Sequence, residues 1–171
     1  MTDAPPPLPL RLADALSEAA GGLAALCALL VLLLMLGLVL GRLVGTGSVK
    51  LQDAVLWLNA AMVMLGLGYA LKHGRHVRID AFAARWPART RARVELFGLA
   101  FFLLPFCAAL FWLSLDYVAL GWSIRERSAS TGGLPGLYLA KSLLPLGSLL
   151  LALQGLAELL RRWPVAFGGR A

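Results

Sequence analysis

Hydrophobic residues fall along this chain in four blocks parted by short polar intervals. The blocks run from about Gly22 to Val44, Leu51 to Leu71, Val94 to Leu120 and Leu137 to Leu160. Each reaches the roughly 20 residues a helix needs to cross a bilayer. Ahead of the first block, Leu12, Leu16, Ala19, Ala20 and Leu23 recur at helical spacing against Arg11, Asp14, Ser17 and Glu18, predicting a helix that enters the membrane obliquely along its interface. Ile79, Phe82, Ala83 and Trp86 likewise part from Arg78, Arg85 and Arg89, predicting a short amphipathic helix on the membrane surface that Pro87 ends or hands on to the next element. The predicted fold is all-α, an integral membrane protein with four transmembrane helices and short amphipathic interfacial helices. Four prolines in the first nine residues predict a disordered, Pro-rich tail over 1–10. The membrane domain then covers 11–162, and 163–171 form a C-terminal tail.

Polar and small residues inside the blocks refine this picture. Gly37, Gly41 and Gly45 repeat every fourth residue, a small face that lets another helix approach, in this chain or in a partner. Gly66 and Gly68 mark a second close approach. Asn59 is the strongly polar side chain of the second span and is expected to hydrogen-bond a neighbouring helix. Asp53 falls in the first turn of that helix, where its charge suits the macrodipole. Pro105 predicts a kink in the aromatic-rich third span, and Pro145 with Gly147 a flexible point in the fourth. Gln154 and Glu158 share a helix face at i, i+4. Tyr117 and Trp122 sit where an interfacial aromatic belt belongs, and Arg161-Arg162-Trp163-Pro164 reads as an anchor followed by a helix stop.

Composition agrees with a membrane protein: 60% of the 171 residues are hydrophobic and 15% charged, with a mean hydropathy of +0.78. The formal charge of +7 raises nucleic acid as a partner, but the cations lie between apolar runs and form no stripe with aromatic platforms, which excludes it. Seven cations (Lys72, Arg75, Arg78, Arg85, Arg89, Arg91 and Arg93) occupy the connection between spans two and three, and such clusters stay cytoplasmic. With the two ends, that side holds eleven Lys and Arg against five on the other (Arg42, Lys50, Arg125, Arg127, Lys141), placing both termini in the cytoplasm. The N-terminus lacks a basic n-region, so no signal cleavage is expected. Cys27 and Cys107 lie within apolar runs and read as buried thiols.

No chemistry of an enzyme or cofactor protein emerges. His73 and His76 sit in the basic connection, where they cannot serve as haem ligands within the bundle, and no metal-ligand spacing forms. Catalytic, cofactor and metal roles are therefore not expected. A coupled carrier places an ionisable group at mid-membrane, whereas Glu18, Asp53, Glu95, Asp116 and Glu158 all lie within a few turns of a span end. No internal repeat of the kind that builds inverted-repeat carriers is visible.

The Gly-rich end of span two running into His73-Gly74-Arg75-His76-Val77-Arg78-Ile79-Asp80, then Gly132-Gly133-Leu134-Pro135, Lys141, Leu144-Pro145-Leu146-Gly147 and Leu153-Gln154-Gly155, resembles the small membrane subunit (small permease) of tripartite ATP-independent periplasmic (TRAP) transporters over roughly residues 15–162. Relatives carry a lone acidic residue shortly before the Gly-Leu-Pro turn, where this chain has Arg125-Glu126-Arg127-Ser128. The resemblance implies an inner-membrane scaffold for a large TRAP membrane subunit. Uptake of an organic acid would be driven by a sodium or proton gradient, with substrate delivered by a periplasmic substrate-binding protein. Candidate partner or lipid contacts are then Gly37, Gly41 and Gly45 on span one, His76, Arg78 and Asp80 in the basic connection, and Arg125, Glu126 and Arg127 in the outer loop. A stand-alone homo-oligomeric carrier and a membrane anchor for a cytoplasmic enzyme are the alternatives.

Overall fold

The computed structural model describes residues 7–74 and 86–167. Helix α1 (Leu8–Leu43) is one unbroken helix of 36 residues, so the expected interfacial segment and the first span are a single element. It opens with Pro9 in its first turn, where a missing N–H costs nothing, and Leu8, Pro9 and Leu10 therefore belong to the helix and not to the tail. Helix α2 (Val49–Lys72) starts on Ser48, whose side chain accepts from the Leu51 N–H. Helix α3 (Ala88–Gly98) passes through a π turn (Leu99–Leu103) into α4 (Leu104–Ser123). Just before Pro105, where a kink is expected, the helix makes this π turn, in which Leu104 N–H reaches back five residues to the Leu99 carbonyl ahead of the proline's missing donor. The fourth span is split: α5 (Leu137–Lys141) turns at Ser142 into α6 (Leu143–Phe167).

Pro164 does not stop α6, which continues to Phe167. A proline this near a helix end removes one intrahelical bond only, and the Arg93 Nε donates to the Ala166 carbonyl at 3.2 Å, tying that last turn to α3. The amphipathic segment expected near 79–86 falls largely on 75–85, outside the described residues.

Charged residues divide the helices into a charge-free middle and charged ends. Between Glu18 and Arg42, Asp53 and Lys72, Glu95 and Asp116, and Lys141 and Glu158 no charged residue occurs. At about 1.5 Å per residue these intervals are about 26–36 Å long, matching the roughly 30 Å hydrocarbon core. Four helical segments, Leu8–Leu43, Val49–Lys72, Arg89–Ser123 and Leu137–Phe167, are long and apolar enough to cross a membrane. The chain thus has a terminal end, with both termini and the 73–87 connection, and a turn end, with the 44–48 and 124–136 connections.

Helix α6 is the hub. It packs on α1, α2, α3 and α4, whereas α1 packs chiefly along α2. Close approach there depends on glycine: a Cβ on Gly147 would lie 2.8 Å from the Met64 Cβ and 3.0 Å from the Met64 carbonyl oxygen, too near for any side chain. Leu71, Leu99, Cys107 and Leu151 form one buried cluster at the α2–α4–α6 junction, and Ala92, Leu96 and Ala166 a second between α3 and α6. Cys27 and Cys107 are free thiols.

Candidate functional site

At the terminal end the polar residues of three helices satisfy one another. Gln154 on α6 has no exposed surface. It accepts from Ser17 Oγ at 2.8 Å and donates from Nε2 to Asp14 Oδ1 at 3.4 Å. Asp14 pairs with Arg161, Arg161 with Glu158 at 3.1 Å, Glu158 with Arg162 at 3.1 Å, and Arg162 with Glu95 on α3. The Glu158 carboxylate, 9% exposed, is flanked by two guanidinium groups, which offsets the desolvation that burial imposes on it. Lys72 on α2 joins at the edge, 2.7 Å from Glu18, and His73 Nε2 lies 3.5 Å from the same carboxylate. The i, i+4 face of Gln154 and Glu158 read from sequence is therefore a cross-helix clamp.

At the turn end, α4 finishes in a Schellman arrangement: Arg125 N–H donates to the Trp122 carbonyl and Glu126 N–H to the Gly121 carbonyl. Helix α1 ends identically through Gly45 and Thr46. Such a cap needs a left-handed residue, normally glycine. Gly45 supplies it with φ +76°, but Arg125 holds φ +47°, a conformation costly for a residue with a side chain. The following loop folds back through an isolated bridge between Arg127 and Pro135 and the Ser128 N–H to Leu134 carbonyl bond of 3.1 Å.

Two carboxylates face inward here. Asp53, 5% exposed, accepts the Leu134 N–H at 2.9 Å and fastens the loop to α2; this replaces the dipole role its position implied. Glu126 pairs with Lys141, whose ammonium lies 3.8 Å from the centre of the Tyr117 ring. Trp122 Nε1 donates to Ser142 Oγ at 3.0 Å and its ring packs on Tyr138.

Among the candidate contacts, Arg125 and Arg127 are exposed and Glu126 is engaged. Gly37 has nothing within 4 Å of an added Cβ, Gly41 meets only Thr46 of its own turn, and Gly45 belongs to that turn. Their face is thus open and, among the described residues, meets no other helix within 4 Å, whereas Gly21, Gly147, Gly155 and, as expected, Gly68 make the close approaches. Asn59 is exposed on α2 and meets no hydrogen-bond partner among the described residues, so the bond expected to a neighbouring helix is not made to any described helix of this chain. His76, Arg78 and Asp80 lie outside the described residues. The Asp14, Ser17 and Glu95 roles were not legible from sequence, since their partners lie 67 to 147 residues away.

No curated protein and no solved structure matches the chain. Residues 30–165 match the family profile described as tripartite ATP-independent periplasmic transporters, DctQ component, a span that holds the last 14 residues of α1 and all the later helices except the final two residues of α6. The chain is a membrane protein of four apolar helices that belongs to this DctQ family, the small permease component of TRAP transporters.

Proposed function

We propose that the chain scaffolds the large membrane subunit of a TRAP-type secondary transporter in the bacterial inner membrane, with both termini cytoplasmic. The complex takes up an organic acid on a sodium or proton gradient, and a periplasmic binding protein delivers the substrate. Asn59 carries the scaffold reading. It lies six residues, about 9 Å along the helix, inside the Asp53 boundary, with its amide on the outer surface. An amide facing hydrocarbon without a partner costs several kcal/mol, and a helix of a second protein bearing a hydrogen-bonding group removes that cost. On α1, Gly37 is likewise exposed, with open space where a helix of a second protein could approach.

A stand-alone carrier fits less well. It needs polar groups free to hold an ion and an anion near the midplane, and the buried Ser17, Gln154, Ser114 and Ser148 are each hydrogen-bonded within the bundle, while Asp14 and Glu158 are both paired with Arg161. Catalysis is no part of this reading.

Co-purification with the large subunit tests the proposal. Asn59→Leu and Gly37→Leu should leave the isolated chain as stable as before and reduce recovery of the complex several-fold. Unchanged recovery and unchanged thermal stability of the complex for both variants would contradict it.

A further inference from the structure

The turn end carries Arg42, Lys50, Arg125, Arg127 and Lys141 against the carboxylates Asp53, Asp116 and Glu126. The carboxylates are mostly withdrawn: Asp53 is buried on the Leu134 N–H, and Glu126 is neutralised by Lys141. Asp116 is exposed, but seven residues before the end of α4 and so about 10 Å nearer the membrane middle than the helix end. Arg42, Lys50, Arg125 and Arg127 are all exposed, and among the described residues none forms an ion pair.

Two of these cations sit where local physics disfavours them. Lys50 is the second residue of α2, against the positive end of the helix dipole. Arg125 occupies the left-handed cap position that glycine fills at the end of α1. Cations retained against both the dipole and the backbone point to use in recognition. The loop that bears Arg125 and Arg127 is fixed to the start of α2 by Asp53, which brings Lys50 and the loop to one surface.

We infer that Arg42, Lys50, Arg125 and Arg127 form a basic docking surface for a soluble protein that presents carboxylates. The inference rests on the transporter reading above, where that protein is the periplasmic binding protein, and it assigns the charge sign of the contact. Unpaired cations at such a rim raise the association rate and make it salt-dependent, so the surface acts at encounter.

Its test uses the complex of this chain with its large subunit in nanodiscs of neutral phosphatidylcholine. Association of the cognate binding protein is timed at low and high salt for wild type and for the combined Arg42→Gln, Lys50→Gln, Arg125→Gln and Arg127→Gln variant. Wild-type association should slow steeply with salt. The variant should associate about tenfold more slowly at low salt, with a flattened salt dependence and an unchanged thermal midpoint. Wild-type association indifferent to both salt and substitution overturns this inference alone. A defect that appears only when anionic lipid replaces the neutral lipid assigns the cations to headgroups and also overturns it. Absence of any association by wild type overturns the transporter reading together with this one.

Discussion

Ser17 Oγ donates a 2.8 Å hydrogen bond to Oε1 of Gln154, fixing the start of α1 against α6 at a point where neither side chain reaches solvent or lipid. Removing the hydroxyl strands the Gln154 carbonyl oxygen. Interhelical bonds of this kind contribute about 0.6–1.7 kcal/mol in membranes, so Ser17→Ala should destabilise the purified chain by about 1 kcal/mol in reversible unfolding. The Ser17→Ala/Gln154→Leu double variant should cost less than the two single changes added together. Strict additivity would show that the two side chains do not interact.

Glu158 and Glu18 should respond differently to neutralisation. Glu158 is nearly buried between Arg161 and Arg162, whereas the Glu18 side chain is 47% exposed beside Lys72. Glu158→Gln should therefore cost about 2 kcal/mol, with little change in high salt. Glu18→Gln should cost under about 1 kcal/mol, and salt should erase the difference. Equal effects of the two substitutions would argue against the clamp.

The two Schellman ends make a matched pair. Arg125→Gly relieves a left-handed non-glycine residue and should raise stability by about 1 kcal/mol, while Gly45→Ala imposes one and should lower it by a similar amount. Thermal midpoints of the two variants moving in the same direction would contradict the cap assignment.

The proposed orientation, argued from the charge bias, has its own check. In a cysteine-free background, Ser130→Cys on the turn-end loop should react with a membrane-impermeant maleimide added to intact spheroplasts, and Arg85→Cys should react only after lysis. The reverse pattern would invert the topology.

The four spans were legible because length and apolarity are local properties, and so was the family. The roles of individual polar residues were not. Asp53 reads from sequence as a dipole partner because only its place near a helix start is visible, yet it holds a backbone N–H 81 residues away. Glu126 reads as an outward contact, yet Lys141 claims it. Glycine spacing identified small faces at Gly37, Gly41 and Gly45 and at Gly66 and Gly68 but could not say which lies inside: Gly68 makes the close approach expected of it, the Gly37 face is open, and Gly147, read only as a flexible point, meets Met64. Pro164 reads as a stop, because the Arg93 side chain bound to the final turn belongs to a different helix.

The central claim is that this chain supports transport without performing it. Purified and reconstituted alone into liposomes, it should accumulate no organic acid under a sodium or proton gradient. Adding the large membrane subunit and the binding protein together should restore gradient-driven uptake, and adding either one alone should not. Gradient-driven accumulation by the purified chain by itself would contradict the account.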